Sequence, residues 1–182
     1  MNLKNISNKY KWDYSGIDEV CYSDDKQESY IKAAEFLGDN VEDWGGGTGW
    51  ARRYFKNYTN IDGSPHKYVN QVADLVEYTS DCENILMREV LEYNTQWKRL
   101  LDNVKKSFKK RFCLIISTPF ANKTYIWLAE STGKAKRIEF RFKKQDILDQ
   151  FPKSKYKLNE ELIKTNHLYN RDWILYVEKI NG

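Results

Sequence analysis

Apolar side chains recur at helical spacing in two stretches of the chain before residue 112. The first stretch begins near Asp24 and ends at Gly38, a residue type that commonly stops helices. The second follows Asn94 and Thr95, either of which is predicted to cap it, and its opposite face is rich in lysine. The stripes are Tyr30, Ile31, Ala34 and Leu37 in the first, and Trp97, Leu100, Leu101, Val104 and Phe108 in the second. A short helix is also expected over residues 50–58.

Short apolar runs separate these helices and predict strands. Runs begin at Val41, Tyr58 and Ile85, and a weaker one lies near residues 72–75. Residues 112–116 are continuously apolar, which is typical of a buried parallel strand. Because strands alternate with helices, this part of the chain is predicted to form an open parallel α/β sheet.

The remainder of the chain has a different pattern, in which strands follow one another. We expect a hairpin around Thr132 and Gly133, a short helix and a final antiparallel strand pair. The predicted segments are 125–129 and 137–142 for the hairpin, 145–151 for the helix, and 161–165 and 173–179 for the pair. No repeat or linker divides the sequence. Residues 1–182 are therefore predicted to be one domain, with residues 1–23 as an N-terminal arm or cover segment.

Composition restricts the class of protein further. The chain has 182 residues, 41% hydrophobic and 15% aromatic, which indicates a folded globular domain. The net charge of +4 is too small to require a nucleic-acid partner. Apolar runs stay well short of the ~20 residues that span a bilayer, so no membrane partner is expected. The three scattered cysteines favour the cytoplasm, or the host cytoplasm if the protein is viral, and the isolated histidines predict no metal site.

A glycine-rich stretch follows the first predicted strand. Residues 43–49 read Asp-Trp-Gly-Gly-Gly-Thr-Gly, and a helix is expected to begin directly after them. Backbone N–H groups at such a start favour anions, and glycine allows a ligand to approach closely. The dinucleotide pattern G-x-G-x-x-G fails because Trp50 would take its last place, and no Lys-Ser/Thr completes a P-loop.

A second acidic residue lies where a nucleotide-binding α/β fold needs one. Asp62 ends the second predicted strand, and Gly63, Ser64 and Pro65 follow it. An acid about 20 residues beyond the glycine loop binds the ribose hydroxyls in such folds. The two oxygens of one carboxylate match two vicinal hydroxyl groups.

Together these segments resemble the class I S-adenosylmethionine-dependent methyltransferases, whose first motif is E/D-x-G-x-G-x-G, and among them the small phage and bacterial type. The likeness is carried by residues 43–49, Ile61-Asp62-Gly63-Ser64, Ala73-Asp74-Leu75 and residues 87–92. The resemblance implies a Rossmann-like, three-layer αβα fold. Its seven-stranded sheet would be mostly parallel with an antiparallel C-terminal edge pair. It also implies S-adenosyl-L-methionine as the cofactor and S-adenosyl-L-homocysteine as its product.

The resemblance also implies roles for individual residues. The glycine loop would hold the methionine part of the cofactor, Asp62 the ribose, and the residues after the third strand the adenine. The predicted cofactor-binding residues are Asp43, Trp44, Gly45, Gly46, Gly47, Gly49, Trp50, Asp62, Gly63, Asp74, Leu75 and Arg88. Arg88 could instead form an ion pair with Glu89 or Glu92. Trp44 could instead pack in the core.

The predicted catalytic residues are Glu89, Glu92 and Tyr93. A general base is needed only if the acceptor must lose a proton, and many relatives carry histidines in this stretch where this chain has Glu89 and Tyr93. Glu92 has an alternative role as a carboxylate at a helix start. A cysteine is frequent in the family at the place of Gly46, and glycine is expected to allow the same turn.

The predicted function is transfer of a methyl group to a small-molecule or glycan-like acceptor. One alternative is a nucleic-acid methyltransferase, because basic residues cluster at 105–111, 134–144 and 153–157. Base-amino methyltransferases, however, carry an Asn/Asp-Pro-Pro-Tyr-like clamp after the fourth strand, and the partial match Ser117-Thr118-Pro119-Phe120 follows the fifth. Another alternative is a protein that binds S-adenosylmethionine without transferring its methyl group.

Overall fold

The computed structural model describes residues 24–132, 135–165 and 169–180. The predicted arm at residues 1–23 lies outside these ranges, as does Gly133 at the tip of the predicted hairpin. None of the helices within the described ranges is both long and apolar enough to cross a membrane.

A seven-stranded sheet forms the centre of the molecule, with the strand order β3-β2-β1-β4-β5-β9-β8. The first five strands in this order are parallel to their neighbours. Strand β9 is antiparallel to both of its neighbours, β5 and β8. The strands are β1 (Asn40–Trp44), β2 (Asn57–Asp62), β3 (Gln71–Val72), β4 (Cys82–Arg88), β5 (Phe108–Ile116), β8 (Tyr156–Lys164) and β9 (Arg171–Lys179). The predicted sheet and its antiparallel edge pair are confirmed.

A separate two-stranded sheet consists of β6 (Tyr125–Thr132) and β7 (Ala135–Arg141). The two strands are antiparallel, as the sequence predicted for this hairpin. Strand β7 runs close to the turn at residues 91–93, which directly follows the end of β4. The hairpin therefore brings residues from the second half of the chain to the edge where β4 and β5 end.

The α-helices are α1 (Asp24–Leu37), α2 (Trp97–Ser107) and α3 (Lys144–Leu148). Helix α1 ends as predicted: Gly38 adopts a φ of 77°, and its N–H donates to the carbonyl of Ala34. The predicted caps of α2 were wrong, because Gln96 occupies the cap position and the Asn94 side chain accepts the Gln96 N–H instead. Phe108 belongs to β5 and does not extend the helical stripe.

The predicted helix over residues 50–58 is also wrong in length. It is a single 3-10 turn at Trp50–Arg53, and a second such turn lies at Leu91–Tyr93. The helix cannot continue to residue 58, because Asn57 already pairs with Asn40 at the start of β2. The connection between the glycine loop and β2 is therefore short.

Alternating residues of the central strand β5 supply both faces of the core, as expected for a strand that is buried on both sides. Phe112 and Leu114 face the apolar layer that contains α2, whereas Cys113 and Ile115 face the layer that contains α1. Burying each such side chain stabilises the fold by roughly 1.5–3 kcal/mol. Two packed layers around one sheet match the predicted αβα arrangement.

Candidate cofactor and acceptor site

The glycine loop leaves the carboxyl end of β1 and turns by way of left-handed backbone conformations. Gly45, Gly47 and Gly49 have φ angles of 84°, 54° and 73°, a region that side chains rarely tolerate. The N–H of Gly45 donates to the carbonyl of Ile61 on the neighbouring strand β2. A Cβ atom on Gly45 would lie 2.2 Å from Cγ2 of Val90, so the residues after β4 pack directly on this loop.

Asp62 is in direct contact with the glycine loop, as the spacing of the two motifs suggested. Its Oδ2 atom accepts the N–H of Gly47 at 2.9 Å, and its Oδ1 atom accepts the N–H of Ser64 at 2.8 Å. Both hydrogen bonds fix the orientation of the buried carboxylate. A carboxylate oxygen can accept more than one hydrogen bond, so a carboxylate held in this way can also take part in binding hydroxyl groups.

Asp43 is buried at the start of the loop and accepts a hydrogen bond of 2.6 Å from the Tyr58 hydroxyl. Burial raises the pKa of Asp43 to about 7, a shift that the hydrogen bond from Tyr58 opposes and the charge of Asp62 increases. A Cβ atom on Gly46 would lie 2.6 Å from Asp43 Oδ2 and 2.8 Å from the Tyr58 hydroxyl. In this chain, therefore, the space beside Gly46 is already filled by polar groups.

Asn60 joins the loop to the segment after β2, and the sequence analysis missed it. Its Nδ2 atom donates to the carbonyls of Gly47 and Tyr68, each at 3.0 Å. Its backbone N–H donates to the Asn70 side chain at 2.8 Å. The available signal was an asparagine near the end of a predicted strand, since a buried amide nitrogen needs acceptors; the Oδ1 atom of Asn60 has no partner among the described residues.

Other predicted cofactor residues lie around the loop in different environments. Trp44 is fully buried: its indole N–H donates to Glu42, and its ring packs edge-to-face on Tyr78. Trp50 begins the 3-10 turn, and the Arg53 guanidinium lies 3.8 Å from the centre of its ring. The core position of Trp44 agrees with its alternative role in packing, and cofactor contact by either tryptophan stays a prediction.

The predicted adenine-flanking residues follow β3 in a turn. Asp74 is exposed, and its Oδ1 atom accepts the N–H of Val76 at 3.0 Å. Leu75 is buried in the core on the α2 side. Gly63 directly follows Asp62, and the nearest atom to a Cβ placed there is the Ala73 carbonyl at 3.9 Å. The adenine contacts of this turn remain a prediction.

Arg88 ends β4 and forms ion pairs with two acids. Its Nη2 atom lies 3.0 Å from Glu89 Oε1 and 3.3 Å from Asp172 Oδ2. The guanidinium also lies over the ring of Tyr30 on α1, 5.0 Å from its centre. Arg88 was predicted either to pair with Glu89 or Glu92 or to bind a cofactor carboxylate. The ion pair with Glu89 is present, and the contact with a cofactor carboxylate stays a prediction.

Glu89 has a strained backbone, because its φ angle of 53° lies in the left-handed region that non-glycine residues rarely adopt. The Glu89 N–H donates to the carbonyl of Ile115, which ties the residue to the end of β5. Its carboxylate then reaches Ser117, whose hydroxyl lies 2.8 Å from Glu89 Oε1 and 2.7 Å from Asp172 Oδ1.

Glu92 is fully buried within the 3-10 turn at residues 91–93. Its Oε1 atom accepts the N–H of Ser117 at 3.2 Å, whereas Oε2 has no hydrogen-bond partner among the described residues. Burial raises the pKa of Glu92 to about 8, and the charge of Glu89 adds to the shift. Glu92 lies in the first turn of this 3-10 helix, which agrees with its alternative role as a carboxylate at a helix start, and its catalytic role stays a prediction. Tyr93 lies half-buried in the same turn.

Sequence reasoning found Glu89 and Glu92 but missed the residues that meet them. Ser117 comes from the end of β5, Glu139 from β7 and Asp172 from β9. Glu139 is buried and accepts a hydrogen bond from the Tyr169 hydroxyl. We call Arg88, Glu89, Glu92, Ser117, Glu139 and Asp172 the acidic cluster. No sequence signal groups these residues, because the strand order of the main sheet and the position of the hairpin bring them together.

No protein-family model and no curated protein match the sequence. Solved structures do match the fold. The 1,6-didemethyltoxoflavin-N1-methyltransferase of Burkholderia thailandensis, with bound 1,6-didemethyltoxoflavin and S-adenosylhomocysteine, has a TM-score of 0.70 at 12% identity, over 87% of this chain and 79% of that chain.

Two further structures support the same assignment. The magnesium protoporphyrin IX methyltransferase of Synechocystis, with bound S-adenosylhomocysteine, has a TM-score of 0.58 at 13% identity, over 89% of this chain and 90% of that chain. A S-adenosylmethionine-dependent methyltransferase of Mesorhizobium loti has a TM-score of 0.59 at 12% identity, over 86% of this chain and 98% of that chain. The chain therefore has the fold of the class I S-adenosylmethionine-dependent methyltransferases.

Proposed function

We propose that the protein is a S-adenosylmethionine-dependent methyltransferase that acts on a small-molecule or glycan-like acceptor. The observation that carries the proposal is the contact between Asp62 and the glycine loop at the carboxyl ends of β1 and β2. In open α/β sheets, ligands bind at this edge, where the strand order reverses between β1 and β4. The matched methyltransferase structures support the same cofactor.

The residues present fit the cofactor. The loop glycines adopt backbone conformations that bring the chain close to the end of β2, and two backbone N–H groups orient the Asp62 carboxylate. Asp62 would bind the ribose hydroxyls, and residues 45–49 would bind the methionine part. When bound, S-adenosylmethionine supplies a methyl group on a positively charged sulfur, which is a strong electrophile.

The chain's own contribution to the reaction is positioning. Because the methyl group is already activated, holding the acceptor close and in line supplies much of the barrier reduction, up to ~7–11 kcal/mol. Glu89 and Glu92 would orient the acceptor beside the glycine loop, which Val90 joins to their segment. If the acceptor must lose a proton, Glu92, whose pKa burial raises to about 8, would be the carboxylate that takes it.

Ion pairing of the basic residues at 105–111 favours a small acceptor over a nucleic acid. Four of the five cations in this segment have acidic partners: Lys105 pairs with Asp102, Lys109 with Asp81, Lys110 with Glu83 and Arg111 with Glu178. Phosphate groups would have to displace these partners. The toxoflavin and porphyrin enzymes that share the fold are named for small molecules. Binding to DNA or RNA that weakens steeply with salt would instead favour the nucleic-acid alternative.

The experiment that tests the proposal is calorimetric titration with S-adenosylhomocysteine. We expect Asp62→Ala to weaken binding by about 10- to 100-fold, because a charged hydrogen-bond acceptor is lost. Asp81→Ala is the matched control, since Asp81 is an exposed aspartate at the opposite end of the sheet. Absence of binding by the unmodified protein would refute the proposal.

Transfer itself is tested by a mass-spectrometric screen of fractionated metabolites, glycans and nucleic acids for methylation. A methylated small molecule or glycan that depends on Asp62 is the expected result. Tight binding of S-adenosylhomocysteine without any methylated product would instead support a cofactor-binding protein that has lost transfer activity.

A further inference from the structure

Two side chains of β2 hold the backbone of Gly47 at the centre of the glycine loop. The Nδ2 atom of Asn60 donates to the Gly47 carbonyl at 3.0 Å, and Asp62 Oδ2 accepts the Gly47 N–H at 2.9 Å. Gly47 has a φ of 54°, a conformation that few other residues adopt readily. Because its donor and its acceptor are both bound, the orientation of Gly47 is fixed from β2.

The Asn60 amide also joins the loop to the segment that follows Asp62. The same Nδ2 atom donates to the carbonyl of Tyr68 at 3.0 Å. Tyr68 in turn packs on the end of the loop, since a Cβ atom on Gly49 would lie 2.9 Å from Tyr68 Cβ. One buried NH2 group therefore connects the backbone on either side of Asp62, the proposed ribose ligand.

The Asn60 side chain also takes up space beside Gly46. A Cβ atom on Gly46 would lie 2.6 Å from Asn60 Oδ1, which is closer than real Cβ contacts come. Contacts with Asn60 therefore reach two successive residues of the loop, Gly46 and Gly47. The loop is shaped by side chains of the neighbouring strands, and its own glycines contribute only backbone.

The backbone of Asn60 is fixed independently of its side chain. Its N–H donates to Asn70 Oδ1 at 2.8 Å, and its carbonyl accepts the N–H of Asn70 at 2.9 Å. On the other side, Asn60 pairs with Asp43 in the ladder between β1 and β2. Removing the amide therefore leaves β2 in place and releases the loop and Tyr68.

From these contacts we infer that Asn60 is a positioning residue for the proposed cofactor: its amide holds the glycine loop in the binding conformation before the cofactor arrives. The inference rests on the proposed methyltransferase function. Asn60 is fully buried, so it acts through Gly47 and Tyr68 and not by touching the cofactor. A loop that is already held in its binding conformation loses less conformational freedom on binding, so the cofactor binds more tightly.

The test is calorimetric titration of the full chain and its variants with S-adenosylhomocysteine, at a temperature where melting curves show each one to be folded. We expect Asn60→Ala to weaken binding by about 10-fold, because two hydrogen bonds that hold the loop are lost. Asn60→Ser, whose side chain is too short to reach both carbonyls, is the second variant if Asn60→Ala does not fold.

Asn84→Ala is the matched control. Asn84 is also buried, and its Nδ2 atom donates to the backbone carbonyl of Asn40 at 2.9 Å. Both residues lie near the starts of their strands, at the end of the sheet opposite the glycine loop. Asn84→Ala thus removes a similar buried amide far from the loop, and we expect its affinity for S-adenosylhomocysteine to equal that of the unmodified protein.

Amide hydrogen exchange in the ligand-free protein separates positioning from a general loss of stability. The N–H of Gly47 is bound by Asp62, and the N–H of Gly49 donates to the carbonyl of Gly46. We expect both amides to exchange faster in Asn60→Ala, relative to the amide of Leu114 in the central strand β5, because the loop opens without global unfolding. In Asn84→Ala their rates relative to Leu114 should be unchanged.

The outcomes separate this inference from the proposed function. Weaker binding together with faster exchange confined to the loop supports the role of Asn60. Unaltered affinity in the Asn60 variant, or an equal loss of affinity in Asn84→Ala, overturns the inference and leaves the methyltransferase proposal intact. Failure of the unmodified protein to bind S-adenosylhomocysteine overturns the methyltransferase proposal, and with it the role of Asn60 toward the cofactor.

Discussion

The two halves of the candidate site are built in different ways. The glycine loop and Asp62 come from adjacent strands, lie within 20 positions of one another, and meet through backbone N–H groups. The acidic cluster instead collects side chains from the end of β4 and the turn after it, from the residue after β5, and from β7 and β9, with residue numbers from 88 to 172. The first half needs a particular backbone, whereas the second needs particular side chains. Substitutions in the two halves should therefore fail for different reasons.

The largest effect is expected from Arg88→Leu in the acidic cluster. Removing the guanidinium breaks its buried ion pair with Asp172, and breaking a buried ion pair costs about 3–5 kcal/mol of unfolding free energy. Arg99→Leu is the control, because its partner Glu77 and Arg99 itself are more than half exposed, so that pair contributes about 0–1 kcal/mol. Urea denaturation measures both. Equal losses would show that the cluster does not depend on its single guanidinium.

A somewhat smaller effect is expected from Gly45→Ala in the cofactor half. The new methyl group would lie 2.2 Å from Val90 at a φ of 84°, so overpacking and left-handed strain together cost about 2–4 kcal/mol. Gly38→Ala has a similar φ of 77° in open space and should cost only about 1–2 kcal/mol. The comparison isolates the steric contact with Val90. If the two variants unfold at the same denaturant concentration, the Val90 side chain moves away from the new methyl group without loss of stability, and the two halves are not tightly packed.

The smallest effect is a pH dependence of stability caused by Glu92. Its pKa rises on folding from an ordinary value of 4.5 to about 8, so between these values the folded protein binds more protons than the unfolded chain. Stability associated with Glu92 is therefore complete below pH 4.5 and is lost as the pH rises through 8.

Glu92→Gln removes this titration. We expect the variant to melt at least about 2 °C above the unmodified protein at pH 9, with the difference shrinking as the pH is lowered toward 5. Asp43 titrates in both proteins and cancels in the comparison. The measurement is the melting temperature of both proteins between pH 5 and pH 9. A constant difference in melting temperature across this range would mean that Glu92 is not held in a desolvated position.

The cofactor half was predictable because its determinants are local. The spacing of the glycines and the position of Asp62 reflect a backbone turn and the next strand end, and both are visible in a short stretch of sequence. Asn60 was missed because its partners, Gly47 and Tyr68, are set by the path of the chain after β2. The predicted helix over residues 50–58 was wrong because pairing of Asn57 in β2 overrides local helical preference.

The acidic cluster was only partly predictable. Glu89 and Glu92 were found through their place after β4, but their burial depends on elements that follow much later in the chain. Glu139 reaches the cluster only because the hairpin folds over the end of β4, and Asp172 only because β9 inserts beside β5. Such long-range contacts leave no periodic signal in a single sequence.

In the hairpin of β6 and β7, the residues that stabilise the core lie on a different face from the polar residues. It forms its own sheet, and adjacent residues of β7 point in opposite directions: Phe140 packs in the main core, whereas Glu139 meets Tyr169. The face that carries Phe140 is constrained by apolar packing, whereas on the other face the buried carboxylate of Glu139 is held by a hydrogen bond from Tyr169. Selection for a new acceptor could therefore exchange alternate residues of one short ribbon while the cofactor-binding frame stays unchanged.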